Sequence, residues 1–275
     1  MKAFLGGPAL LFCPGNRPDR FLKAHARADS VILDLEDAVG ASDKFQARRD
    51  VCAALPELGD NAIVRVNAPG TPWHEDDVAA LRTASAQTIM VPKVESPSQL
   101  DSLKGFDVIA ICETAAGVLH SEAIASHPQC IALLWGGEDL IADLGGRRSR
   151  SPQGVYYGVV AQARHSVLLA AAAAGKFAID AIHVDFTDME GLRKETSEAV
   201  DMGFDAKACI HPNNVGIIRE QFAPTQTELT WAAEVLAMAD SHGGDVFAFQ
   251  GRMIDEPLLL QARRIINPTQ NSGGK

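Results

Sequence analysis

A (β/α)8 barrel is the fold this 275-residue sequence predicts, and three observations predict it. Short apolar runs recur along roughly the first 215 residues, most of them are continuously apolar instead of alternating, and the stretches between them carry helical period. A strand covered on both faces, as in a parallel sheet wrapped by helices, shows that continuous pattern because side chains pointing either way meet packed neighbours.

The runs are ALLFCPG (9–15), SVILDLED (30–37), AIVRVN (62–67), TIMVPKV (88–94), DVIAICET (107–114), IALLWGGED (131–139), AIHVDF (181–186) and AKACIHP (206–212). The connecting segments are punctuated as helices should be. Ser96 and Pro97 supply an N-cap and a proline at the first helical position after the fourth run. The Ala-rich stretch from Val155 to Ala174 ends at Gly175, and Asp188 and Glu190 open a helix that stops at Gly203. Eight strands alternating with helices place the barrel in residues 1–223 and leave 224–275 as a C-terminal helical extension within one structural domain. An open doubly wound sheet is the competing architecture, but no GxGxxG follows the first run and no P-loop pattern occurs.

Composition narrows the partners. A net charge of −10 argues against nucleic acid, whose binders present a basic face. No run approaches the roughly 18 apolar residues of a membrane span. The opening MKAFLGGPALLFCPG is interrupted by Gly and Pro and reads as a strand, not as a signal segment. Five cysteines (Cys13, Cys52, Cys112, Cys130 and Cys209) form no CxxC pair, and three lie in apolar runs, which predicts reduced, buried thiols in the cytoplasm. An anionic substrate would need local positive charge, for which Arg17, Arg20, Arg65, Lys93 and the cluster Arg147, Arg148, Arg150 are candidates.

Barrel active sites sit at the C-terminal ends of the strands. Polar residues collect there: Glu36 and Asp37 after the second run, Arg65 and Asn67 in the third, Lys93 in the fourth, Glu113 after the fifth, Glu138 and Asp139 after the sixth, Asp185 in the seventh and His211 in the eighth. Any one of them could be a helix cap or a solvated loop residue. Glu113 and Asp139, however, follow adjacent strands roughly 5 Å apart, and two carboxylates that close raise each other's pKa unless a cation lies between them. Mg²⁺ suits such a pair, since it takes one or two carboxylates and completes its octahedron with waters and substrate oxygens. Zinc would call for His or Cys, and the cysteines read as buried thiols of apolar runs, not as a zinc site.

The segments LFCPGNRPDRFLKA, VILDLEDAV, VRVN, VPKVES, ETAAG, WGGEDL, CIHP and GRMIDEP occur in the order and spacing of the citrate lyase β-subunit-like (CitE-like) proteins of the HpcH/HpaI aldolase group, and the sequence resembles them from about Leu10 to Pro257. The resemblance implies a (β/α)8 TIM barrel of the phosphoenolpyruvate/pyruvate type that binds Mg²⁺ and cleaves, or forms, 3-hydroxyacyl-CoA thioesters such as malyl-CoA or citramalyl-CoA. Its metal ligands fall on Glu113 and Asp139, its substrate-contacting arginine on Arg65, and its catalytic acid, supplied by a neighbouring subunit of a trimer or hexamer, on Asp255. Glu36 and Asp37 are then partners for metal-bound waters, and Lys93 a counter-charge at the mouth. The basic loop 145–154, Arg17 and Arg20 are candidates for CoA phosphates, with solvated surface as the alternative; His211 is expected to bond backbone, and His183 to lie in the core. Other activities the same residues accommodate are the β subunit of a citrate lyase complex, malyl-CoA hydrolysis and CoA-independent pyruvate aldol chemistry.

Overall fold

The computed structural model describes residues 6–241 and 246–267. Eight parallel strands close a barrel in chain order: β1 (Ala9–Pro14), β2 (Ser30–Asp34), β3 (Ala62–Arg65), β4 (Thr88–Val91), β5 (Asp107–Cys112), β6 (Cys130–Trp135), β7 (Phe177–Asp180) and β8 (Ala206–Cys209). The seam is β1 on β8, with Ala9 beside Lys207 and Leu11 beside Cys209. Successive strand residues point to opposite faces, and both faces are dry. Leu10, Ile32, Ile63, Met90, Ile109 and Ile179 fill the barrel interior. Their neighbours Leu11, Val31, Leu33, Val64, Ile89 and Val108 pack outward beneath the helices. Every one of these is under 2 % exposed, so the continuous apolar runs record burial on both sides, at about 1.5–3 kcal/mol for each large aliphatic side chain.

The helices follow their punctuation. α1 (Pro18–Arg27) starts on a proline at N1. α2 (Lys44–Leu58), α3 (His74–Thr83), α4 (Ala115–Leu119), α5 (Ser121–Ala125), α6 (Gly137–Asp143) and α7 (Gly158–Ala173) lead to α8 (Met189–Met202) and α9 (Asn214–Phe222). In α8 the Asp188 side chain accepts from Gly191 N–H at 2.9 Å, and Gly203 closes the helix at φ 98°, where a side chain would be strained. Ser96 and Gln99 form a capping box, but the turn they open, Pro97–Leu103, is a 3₁₀ helix. Its buried residues Leu100 and Leu103 are three apart, the spacing at which a 3₁₀ helix eclipses its side chains.

One strand lies elsewhere than expected. AIHVDF (181–186) is not the seventh strand; β7 is the four residues before it, whose Phe177, Ala178 and Ile179 pair with Ala132, Leu133 and Leu134. Val184 and Phe186 are 48 % and 45 % exposed in the loop above. What disguised β7 is its last residue, Asp180, a fully buried carboxylate. It accepts two bonds from Arg164 at 2.9 Å, one from Trp135 Nε1 at 2.8 Å and one from Lys207 Nζ at 2.7 Å. Lys207 is also fully buried and donates to Glu195 Oε1 at 3.0 Å. Removing one partner of such a group leaves the others as uncompensated charges, so Lys207→Met is expected to cost about 3–5 kcal/mol of stability in urea unfolding; a loss under 1 kcal/mol would mean that this cluster is not what holds β7 to β8.

Beyond Ala223, α10 (Gln226–Ser241), the antiparallel pair β9 (Phe247–Phe249) and β10 (Arg252–Ile254), and α11 (Glu256–Ile266) close on a cluster of their own, Ala232, Val235, Ala239, Phe247, Ile254, Leu259 and Ala262. The hairpin turns on Gln250 and Gly251, both at positive φ, which matches the right-handed twist of the two strands. All five cysteines are free, and all but Cys52 are buried. Among the described residues no helix is long and apolar enough to cross a membrane.

Candidate active site

The C-terminal ends of the strands carry a charged network around a cavity of about 410 Å³. Asp34 ends β2, Arg65 ends β3, Lys93 sits just beyond β4, Glu113 follows β5, and Asp139 lies in the first turn of α6. Arg65 donates through Nε and Nη2 to the two oxygens of Asp34, both at 2.7 Å, and its Nη1 is 3.0 Å from Glu36 Oε2. Asp34 also accepts from the backbone N–H groups of Glu36 and Ala38. The β2 end, the loop after it and the guanidinium are thus one unit. Lys44 braces that loop from behind, its buried ammonium donating to the carbonyls of Leu35 and Glu36 at 2.7 and 2.6 Å.

Lys93 adopts φ 52°, a left-handed conformation uncommon for a residue with a side chain. That turn aims its N–H at Glu113 Oε1, 3.1 Å away, and its ammonium at Glu36 Oε1, 2.6 Å, with Asp139 at 3.3 Å and Asp37 at 3.8 Å. Burial opposes the charged forms of Lys93 and Arg65, but the surrounding carboxylates outweigh it and hold both above their ordinary pKa. Burial likewise pushes Glu36 up, against the pull of Arg65 and Lys93. For Glu113, 3 % exposed, burial together with the like charges of Asp139 and Glu36 prevails, and its carboxyl is pushed up to about 8.

Glu113, Asp139, Arg65, Glu36 and Lys93 are therefore brought together, with Asp37 at the exposed rim. A divalent cation fits the donor set. Glu113 and Asp139 offer hard oxygens in a pocket short of positive charge, and Gly136 supplies the room: a Cβ there would stand 2.7 Å from Glu113 Oε2. Two carboxylates suit an ion that keeps waters and substrate oxygens in its shell.

Other expected mouth residues do different work. Asn67 bonds Asp77 through N and Nδ2, tying the β3 loop to α3. Asp185 is turned to its own loop, accepting from Thr187. His211 Nδ1 accepts from Asn213 N–H at 3.2 Å, a backbone bond, and its ring stacks on Phe186. His183 is a loop residue above β7 rather than a core one, with Nδ1 2.8 Å from Glu195. Arg17 is paired with Asp19, and Arg150 with Glu195 at 2.7 Å. Asp255 is the N-cap residue of α11 and does not line the cavity of its own barrel. Asp34, Gly136, Trp135 and Tyr156 complete the cavity without having been singled out in the sequence. Asp34 left a signal there, since a lone carboxylate in an apolar run must be paired if buried.

A closed parallel barrel whose mouth combines a carboxylate pair with an arginine fork defines a class of cation-dependent enzymes acting on small carboxylates or thioesters. The chain belongs to the HpcH/HpaI aldolase/citrate lyase family, which it matches over residues 9–212. It is 44 % identical over 266 residues to a citrate lyase subunit beta-like protein of Mycobacterium tuberculosis, covering 97 % of each chain. It is 33 % identical to the mitochondrial citramalyl-CoA lyase of Rattus norvegicus (94 % of this chain, 84 % of the relative) and 34 % identical to a (3S)-malyl-CoA thioesterase of Cereibacter sphaeroides (94 % and 93 %). The structure superposes on M. tuberculosis CitE in complex with magnesium, acetoacetate and coenzyme A with a TM-score of 0.91, at 43 % identity over 96 % of this chain and 98 % of that one.

Proposed function

We propose that this protein is a magnesium-dependent carbon–carbon lyase that cleaves, or in reverse forms, a 3-hydroxyacyl-CoA thioester of the malyl- or citramalyl-CoA type, yielding acetyl-CoA and a keto acid. The observation that carries this reading is the Glu113–Asp139 pair beside the Arg65 fork in one cavity, in a chain similar to a citramalyl-CoA lyase. Bound magnesium would supply a Lewis acid for the oxygens of the keto-acid fragment, held by Glu113 and Asp139.

The chain's own residues supply the rest. In cleavage the 3-hydroxyl loses its proton, the bond between C2 and C3 breaks, its electron pair passes to the thioester enolate, and C2 takes up a proton. Arg65, held flat by Asp34, presents its outer N–H groups to a carboxylate or developing oxyanion, a bidentate task that an ammonium performs poorly. Glu36, Asp37 and Lys93 orient waters and limit the charge at the mouth. Asp255 of a neighbouring copy in a homo-oligomer exchanges the proton with C2. If so, Glu113→Ala and Asp255→Ala chains, each inactive alone, regain activity when co-expressed in mixed oligomers; silence of the mixture would remove Asp255 from the site.

The direct test follows acetyl-CoA, free CoA and keto acid by mass spectrometry with Mg²⁺ and malyl-, citramalyl-, citryl- and hydroxymethylglutaryl-CoA. Acetyl-CoA with the matching keto acid, lost in Glu113→Ala, supports the lyase. Free CoA with intact hydroxy acid would instead mean hydrolysis, the activity named for the Cereibacter relative. Silence on every CoA ester would redirect the reading to carrier-protein thioesters of a citrate lyase complex or to pyruvate aldol chemistry.

A further inference from the structure

The apolar wall of the mouth is completed by a side chain from outside the strands. Tyr156, in the segment between α6 and α7, packs edge-on against Trp135 with ring centroids 5.2 Å apart and planes at 73°, and both rings line the cavity. Its position is fixed from several sides. The Tyr156 hydroxyl donates to Glu195 Oε1 at 3.1 Å, and the Arg150 guanidinium lies 3.6 Å over its ring, bonds its hydroxyl and donates to Glu195 Oε2 at 2.7 Å. Glu195 is in turn held by Lys207 and His183, and Ser149 Oγ ties the same segment to Glu138. A bond to a buried, multiply paired carboxylate costs a side chain its freedom to swing. The segment is a braced wall.

Behind that wall lies a second cavity of about 800 Å³, between the segment and α7 and α8. Tyr156, Glu138 and Val184 line both cavities. Of the three, only Tyr156 is both large and locked in place, so it is the partition. Truncating it would not leave a sealed void; it would join the two spaces.

We propose that Tyr156 is the residue that sets the size of the substituent accepted at the hydroxyl-bearing carbon, admitting a hydrogen or a methyl group and excluding longer alkyl chains. This rests on the lyase reading. The charged side of the mouth takes the carboxylate and the hydroxyl, so the substituent on the same carbon is left to the opposite wall of Trp135, Tyr156, Leu134 and Ile182. One methylene more or less in an apolar pocket is worth roughly 10- to 200-fold in kcat/KM.

The test compares wild type, Tyr156→Phe, Tyr156→Leu and Tyr156→Ala on citramalyl-CoA and on its homologue with a butyl group in place of the methyl. In parallel, pyruvate and 2-oxohexanoate, the keto acids those esters would release, are titrated calorimetrically in the presence of Mg²⁺. Tyr156→Ala is expected to raise the butyl-to-methyl ratio of kcat/KM at least about tenfold and to shift the keto-acid affinities the same way, while Tyr156→Phe, which keeps the ring against Trp135 and Arg150, is expected to hold that ratio within about twofold of the wild-type ratio whatever its overall rate. Should the alanine variant not fold, Tyr156→Leu keeps an apolar contact with Trp135 and is expected to shift the ratio in the same direction. Folded Ala or Leu variants with unchanged ratios and unchanged keto-acid selectivity would overturn the proposal. A wild type that cleaves neither ester, nor malyl-CoA run beside them, would sink the lyase reading, and the two keto acids would still decide whether Tyr156 is the partition.

Discussion

Glu113→Gln is expected to abolish measurable cleavage and to weaken Mg²⁺ binding by more than the roughly 10- to 100-fold that losing an outer partner of a metal ligand costs. The amide keeps the shape of the side chain and removes its charge. The carboxyl of Glu113 titrates at about 8 against an ordinary 4.5. Between those values the folded, metal-free protein holds a proton that the unfolded chain has released, so this group lowers stability as pH rises from 4.5 to 8, and contributes no slope below or above that window. A cation must displace the same proton. Apparent Mg²⁺ affinity therefore rises with pH up to about 8, and binding at pH 7 releases most of a proton, read as a buffer-dependent heat in calorimetry. The glutamine variant should show neither the release nor the slope. A wild type that binds Mg²⁺ at pH 7 with no proton release would count against Glu113 as its ligand.

Arg65→Lys is expected to lower kcat/KM by at least about 100-fold, near 2.7 kcal/mol of transition-state stabilisation, and to destabilise the fold as well. Arg65 fills both oxygens of Asp34 and reaches Glu36 with a third nitrogen. An ammonium on a shorter stem cannot satisfy those contacts and still face a substrate. Asp34 is 2 % exposed, and breaking a buried pair from one side costs about 3–5 kcal/mol. The two effects separate in a double variant: Asp34→Asn with Arg65→Lys should recover part of the thermal stability and none of the activity. Activity within tenfold of wild type in Arg65→Lys would show that a point charge suffices at this position.

The barrel was legible because double-faced burial writes itself as uninterrupted apolar runs, with strand residues such as Leu10 and Leu11 facing opposite cores. The nearness of Glu113 and Asp139 was legible for a related reason, since the two follow adjacent strands, and Glu113 comes directly after the buried run Val108–Cys112. What the runs concealed were charges satisfied inside the protein. Asp180 broke the apolar pattern of β7 and displaced the expected strand onto the loop that follows, because pairing with Arg164 and Lys207 across long stretches of sequence leaves no local trace. Asp34 interrupts an apolar run in the same way, and that signal says only that it is paired; its partner, Arg65, lies a whole strand and helix further along the chain. Asp255 shows the complementary limit: it stands at the N-cap position of α11 without a side-chain cap bond, and in GRMIDEP only a resemblance gave it a role.

Asp34, Glu36, Asp37, Glu113 and Asp139 gather around two cations, Arg65 and Lys93, and one of those cations sits on a strained backbone. Five carboxylates against two cations leave the mouth with an excess of negative charge that nothing among the described residues balances. Neutral replacements at Glu113 or Asp139 should consequently melt at higher temperature than wild type at pH 8 when no divalent ion is present. A directed-evolution screen for heat resistance in chelator would thus enrich for inactive barrels, whereas the same screen run with magnesium would favour the native carboxylates.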